Sequence, residues 1–447
     1  MMTGTKQRLL MTGVILFITV SAFSQKANQD PNDLQLLADN VFHLSEVMLH
    51  DVASPPAASR FYAYALLGAY EVTFFAKGQL PDINLKIKVN PGIRPPAPPK
   101  HFNLSFCANY TMLDVGLQLM PSGVLLKEKQ KNLIDHFTIN KIVSERNIAE
   151  NVLYAQAIAK QVVQYARADD YNKLSTYTRY TPSKEEGHWY PTPPEYMAAI
   201  EPRWRTVRSF FLDSANQFAP QPPTTFSKDS TSTFYKLMRE VYNIGNSVTE
   251  EQRKAASFWD CNPFAVTYSG HMAMGLKKIS PGGHWMGITG IACKKASISL
   301  DSAILIHTMV ALTLHDAFIS CWQEKYRSDR IRPETAINKL MNSSWRPLLQ
   351  TPPFPEYTSG HSVASSSVAV VLTQLLGDDF KFTDTSEMYF GLPERNFSSF
   401  YQAANEAALS RLYGGIHFRD ACEEGVIQGK KIGNLAMDKL LKSESRP

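Results

Sequence analysis

The sequence predicts an all-α protein. Three observations carry that expectation. Long segments repeat apolar residues at helical spacing, strand-like alternation is scarce, and the glycine patterns of Rossmann and phosphate-loop folds do not occur.

The elements follow in chain order. Residues 1–24 read as an export signal: Lys6 and Arg8 form a basic start, Leu9 to Phe23 is an apolar run of 15 residues, and Ala22-Phe23-Ser24 suits cleavage. The run is short for a bilayer core of about 30 Å, and no cysteine follows it to carry a lipid. The mature chain is therefore expected in the periplasm or outside the cell. Asp33 to Leu49 and Ala57 to Ala76 are amphipathic and long enough for helices, and Pro91 to Pro99 is a proline-rich connection. Ser144 to Arg167 is a strong helix with Ser144 as its cap. Tyr180 to Phe226 reads as irregular. Its aromatics (Trp189, Tyr190, Tyr196, Trp204, Phe210, Phe211) predict that it packs as a rim over a site.

The second half has clearer punctuation. A helix is expected from Leu300 to Tyr326, with Ile306, Val310, Leu314, Ala317 and Cys321 on one face and Lys325 in the last turn. Asp301, His307, His315 and Asp316 interrupt its apolar run, so no membrane span is expected in the mature chain. Arg332 follows in a turn closed by Pro333. Ser359-Gly360 opens a helix stopped by Gly377. A helix from Ser398 to Leu412 delivers Arg411, Gly414-Gly415 breaks it, and His417 starts the last helix, running to Leu441. Gly425, Gly429 and Gly433, four apart, predict close packing of that helix.

Composition narrows the function classes. The 447 residues are 44% hydrophobic, enough for a large core or two smaller ones. The formal charge of +5 falls to +3 without Lys6 and Arg8, too weak and scattered for a nucleic-acid partner. The five cysteines (Cys107, Cys261, Cys293, Cys321, Cys422) show no zinc-ligand spacing and read mostly as small core residues.

Seven residues in three blocks carry the chemistry: Lys325 and Arg332, then Ser359, Gly360 and His361, then Arg411 and His417. Singly, each reads as a surface charge, a cap or a satisfied polar group. Together they supply three fixed cations, a hydroxyl, a backbone N–H at a helix start and two imidazoles, the donor set for a tetrahedral or trigonal-bipyramidal oxyanion. One histidine suits an axial bond to the central atom, the other a proton transfer.

These blocks read Lys325-x6-Arg332-Pro333, Thr358-Ser359-Gly360-His361 and Ser410-Arg411-x5-His417. In this the chain resembles the type 2 phosphatidic acid phosphatase superfamily, which includes bacterial acid phosphatases and vanadium-dependent haloperoxidases. Flanking segments (Trp345 to His361, Phe258 to Phe264, Pro281 to Trp285) are similar to soluble bacterial vanadium haloperoxidases, and the length and signal peptide resemble the iodoperoxidase-like branch. The resemblance implies two helical bundles. A helical half with proline-rich loops would span residues 25–245, and a bundle carrying the site residues 246–447.

The resemblance also implies roles. Vanadate would be the cofactor, with His417 its axial ligand and Lys325, Arg332, Ser359, the Gly360 N–H and Arg411 holding its equatorial oxygens. His361 would take a proton from hydrogen peroxide and Lys325 would polarise the peroxide. A halide, iodide in preference and bromide next, would then be oxidised to hypohalous acid, with a small organic acceptor beyond it. Phe354 would wall the halide pocket and Asp260 would orient Arg411. The same atoms also suit an acid phosphatase working through a phosphohistidine at His417, or an oxyanion-binding protein without turnover. Two positions depart from the family pattern: Thr358 stands where proline is common, and Ala421 where an Asp often follows the last histidine. If that Asp orients the ligating histidine, His417 needs another partner here.

Overall fold

The computed structural model describes residues 31–441 apart from 79, 270, 271, 276 and 277, so the expected export signal lies outside the described residues. Among the described residues the fold is all-α: the helices are accompanied by two short antiparallel hairpins, β1 (Val266–Ser269) with β2 (Met272–Gly275), and β3 (Phe382–Asp384) with β4 (Arg395–Phe397).

The first helices are α1 (Pro31–His50), α2 (Pro55–Lys77), α3 (Leu104–Leu119), α4 (Leu126–Ile139) and α5 (Glu145–Arg167). The Ser144 hydroxyl accepts from Asn147 N–H and caps α5 as the sequence predicts. Next come α6 (Thr233–Asn246), α7 (Glu250–Phe258), α8 (Pro281–Ala296), α9 (Leu300–Ser328), α10 (Pro333–Leu340), α11 (Gly360–Leu376), α12 (Phe400–Tyr413) and α13 (Arg419–Leu441).

The helix α9 organises the molecule. It packs against α2 on one side and α11 on another, and one continuous apolar core runs from Leu37 to Leu440. The predicted apolar face is only part of its burial, because α9 is enclosed all round from Ser302 to Trp322. It is the one described helix long and apolar enough to cross a membrane, and its apolar stretch is wholly covered by the fold. Among its buried polar groups, Asp316 accepts the N–H groups of Phe210, Phe211 and Leu212 at 2.7, 2.7 and 2.9 Å, which ties the irregular segment to the core.

That irregular segment packs differently from expectation. Trp189, Trp204, Phe210 and Phe211 are buried, whereas Tyr190 and Tyr196 are exposed. It backs the 353–358 loop: Ile200 N–H donates to Pro353 C=O, and the Tyr357 hydroxyl donates to Gln221 C=O. None of its residues lines the cavity described below. A long segment rich in prolines has many free carbonyls, and it satisfies them and its N–H groups against a neighbouring loop.

Close packing of α13 on α11 follows from the predicted glycine stripe. A Cβ on Gly429 would overlap the Val363 carbonyl, and one on Gly433 the Ser367 carbonyl. The approach lets Ser359 N–H donate to Ala421 C=O at 3.0 Å, joining the start of α11 to the start of α13.

Candidate active site

The 353–358 loop and four helix ends converge on one buried spot. Lys325 comes from the last turn of α9, Arg332 from the position capping α10, Ser359 and Gly360 from the start of α11, and Arg411 from the last turn of α12. His417 lies in the turn between α12 and α13, two residues before the helix that it was expected to start. Gly415 makes that turn at φ +75°, where side chains are disfavoured and where a Cβ would also press on Trp345 and Pro347.

Lys325, Arg332, Ser359, Arg411 and His417 are all nearly or fully inaccessible. Arg332 donates from Nε to Phe354 C=O at 2.9 Å, and its NH1 meets Ile416 C=O at 2.9 Å and His417 Nε2 at 3.1 Å. Arg411 is held by the Ser410 hydroxyl and Ala256 C=O. Lys325 Nζ donates to the carbonyls of Pro355, Glu356 and Thr358 at 3.2, 3.1 and 2.6 Å. Ser359 Oγ caps α11 by accepting Ser362 N–H. A cavity of about 40 Å³ opens among Gly360, His361, Arg411, His417, Phe354, Trp322 and Phe264. That is room for a few water-sized groups. Lys325, Arg332 and Ser359 do not line it; Lys325 Nζ and the Arg332 guanidinium each lie 5.1 Å from the ring centre of Phe354, which does.

Burial dominates the electrostatics of the site, and the nearby carboxylates Glu356 and Asp260 only partly offset it. It lowers Lys325 to about 8, and Arg332 adds to the effect. It lowers Arg332 to about 10, so that group stays protonated at neutral pH, and it lowers Arg411 as well. Burial, Arg332, Lys325 and Arg411 hold His417 well below the usual imidazole range, and burial, Arg411 and His417 do the same to His361. Both imidazoles are therefore neutral.

The partner that His417 needs is Glu356. Its Oε1 lies 2.9 Å from His417 Nδ1 and accepts Phe418 N–H at 2.9 Å, while Oε2 accepts from Arg330 at 3.2 Å. Because the other contacts of this carboxylate are donors, Nδ1 carries the proton and Nε2 keeps its lone pair. Burial raises the pKa of Glu356, while Arg330 and Arg332 oppose that rise. Asp420, beside Ala421, is engaged elsewhere, in a two-pronged pair with Arg330 at 2.7 and 2.9 Å. Arg330 thus braces Glu356. Thr358 donates its hydroxyl to Gln428 at 2.7 Å, a link to α13 that a proline would not make.

Two further expectations are resolved by geometry. Phe354 does line the cavity, packed on Trp322 with ring centres 4.9 Å apart. Asp260 lines it too but forms an ion pair with Lys278, and makes no hydrogen bond with Arg411. A lysine nearby satisfies that carboxylate first, so Asp260 acts on Arg411 only through its charge. Glu356 and Trp322 were missed. An acidic residue inside the apolar run Pro352 to Tyr357, directly before Ser-Gly-His, was the available signal for the first.

The donor set fits a small oxyanion. Among the described residues no carboxylate bridges the three desolvated cations, and His361 Nε2 is shielded from solvent with no protein partner.

Comparison with known proteins gives the family and the fold. The VCPO second helical-bundle domain family matches residues 305–444. A solved structure of a bacterial vanadium-dependent iodoperoxidase is 39% identical, with a TM-score of 0.83 over 93% of this chain and 97% of that one. Apo and holo structures of a bacterial vanadium-dependent chloroperoxidase are 14% and 15% identical, with TM-scores of 0.65 and 0.64. Each covers 87% of this chain, and 94% and 92% of those chains, and the likeness is one of fold. No curated protein matches the chain.

Proposed function

Since the chain belongs to the vanadium-dependent haloperoxidases and is an enzyme of that class, we propose that it binds vanadate and oxidises halide with hydrogen peroxide, iodide in preference to bromide. The observation that carries this reading is the His417 Nε2 lone pair, presented among three buried cations and fixed from behind by Glu356.

Arg332 and Arg411, whose guanidinium groups now bond protein acceptors, would each turn N–H groups toward oxygens of the anion. Gly360 N–H and the Ser359 hydroxyl add neutral donors at the positive end of α11. His417 Nε2 would exchange its contact with Arg332 for a bond to the bound anion. When bound, vanadate supplies Lewis acidity that activates peroxide. His361 is neutral, so its Nε2 is ready to accept a proton from the incoming peroxide. Lys325 keeps its short contact with Thr358 C=O and would release the two longer ones to reach an anion oxygen.

The halide side of the cavity is apolar, with Phe354, Trp322, Phe264 and Phe318. The cost of taking an ion out of water falls as its radius grows, which favours iodide over bromide there. In the cell we place this activity in the periplasm or outside, where Lys6 to Ser24 would direct it.

The test is a purified mature chain assayed with and without vanadate for iodide oxidation, bromide oxidation and aryl phosphate hydrolysis. Iodide oxidation only with vanadate, exceeding bromide oxidation, is the expected result. Phosphate hydrolysis that vanadate inhibits, without halide oxidation, would overturn it.

A further inference from the structure

A second buried cluster lies beside the cavity. Cys261 follows α7, His284 is in the first turn of α8, and Glu387 comes from the segment after β3. Their ligand atoms lie within 4.8 Å of one another, and all three residues are buried. Sequence spacing gives no hint of it, since the ligands lie far apart along the chain and come from three different elements.

The distances have a specific size. His284 Nδ1 is 3.4 Å from Cys261 Sγ and 3.3 Å from Glu387 Oε1. Around a tetrahedral ion with bonds of about 2.3 Å to sulfur and about 2.05 Å to nitrogen and oxygen, those separations come to roughly 3.6 and 3.3 Å. Glu387 Oε1 makes no hydrogen bond, although the residue is only 5% exposed and this oxygen points at the imidazole. A single Nδ1 proton serves only one of its two neighbours. A metal ion serves both.

The back of the imidazole is prepared as well. His284 Nε2 is 2.7 Å from Asp384 Oδ2, and the Ser386 N–H and hydroxyl both bond Asp384 Oδ1. The Trp259 ring stacks on the imidazole with centres 4.5 Å apart. A carboxylate behind a ligating histidine fixes its tautomer and raises its basicity.

We infer that Cys261 Sγ, His284 Nδ1 and Glu387 Oε1 form a binding site for a zinc-class divalent ion, with Asp384 positioning His284 and the fourth position facing the cavity that Cys261 lines. Binding converts the Cys261 thiol to a thiolate and displaces the His284 proton, so protons are released to solvent. The site is separate from the oxyanion cluster and does not depend on vanadate.

The test uses the mature chain, stripped with a chelator and free of vanadate. After dialysis against Zn²⁺ one equivalent is expected by elemental analysis. Loading with Co²⁺ should give tetrahedral ligand-field bands and a thiolate-to-cobalt charge-transfer band in the wild-type chain, a readout that needs no variant to fold. Cys261→Ser should abolish the charge-transfer band, and Asp384→Asn should weaken Zn²⁺ binding 10–100-fold, the usual range for a group behind a ligand (roughly,). Cys293→Ser, at a buried cysteine outside the cluster, should change neither readout. Substoichiometric zinc, a cobalt spectrum without the charge-transfer band, or metal retention unchanged in Cys261→Ser would each overturn the assignment.

Discussion

His417 Nδ1 and Glu356 Oε1 stand 2.9 Å apart, both buried, with Arg330 gripping the far oxygen of the same carboxylate. This pair fixes which imidazole nitrogen faces the cavity. Where related patterns often carry an Asp just after the last histidine, this chain has Ala421 and draws its carboxylate from the preceding loop. Glu356→Gln keeps an acceptor but removes the charge, so vanadate retention should weaken by about 10–100-fold. Titration of the stripped protein with vanadate, read by recovered peroxidase activity, measures it; unchanged affinity would remove Glu356 from that role.

The cations predict a pH response. Lys325 is lowered to about 8 in the anion-free chain, by burial first and by Arg332. Above that pH it loses its charge, and one of three attractions for the anion goes with it. Vanadate affinity of the stripped protein should therefore fall as pH rises through about 8. Because His417 is held well below its usual range, affinity should show no loss as pH drops through about 6.5 (the unperturbed value,). Equilibrium dialysis across that span checks both limbs.

His361 should separate binding from turnover. It lines the cavity, its Nε2 has no partner among the described residues, and it contributes no fixed charge. His361→Ala should retain vanadate but lower kcat by about 10²–10⁴ (the range for a lost proton acceptor,). Loss of vanadate with little change in kcat per bound vanadium would contradict that division.

Helix packing has its own test. Gly429→Ala forces a methyl against the Val363 carbonyl, where backbone rather than a flexible side chain must move. Chemical denaturation should show a loss of about 1–3 kcal/mol. Because α13 and α11 meet at Ser359 N–H and Ala421 C=O, vanadate affinity should fall along with stability.

Much of the fold was legible. The limits of α11, from the Ser359 cap to the Gly377 stop, and the cap of α5 by Ser144 follow from local hydrogen bonding that a short window of sequence contains. The glycine stripe of α13 was legible for the same reason, since its period is that of one helix. The irregular segment was harder. Its aromatics foretold packing, but whether Trp189 and Trp204 cover a cavity or back a loop depends on Ile200 meeting Pro353, a contact between distant parts of the chain.

The sequence by itself determined the helical class, the cations and imidazoles of the oxyanion cluster, and their order, because patterns of apolar period and ligand chemistry are local and survive without coordinates. Only the tertiary structure decided who holds whom. It gave His417 to Glu356, Asp420 to Arg330 and Asp260 to Lys278, and it gathered Cys261, His284 and Glu387 around one point. Each buried charge takes the partner that folding brings within reach, and that distance is set by packing of α9, α11 and α13, not by separation along the chain.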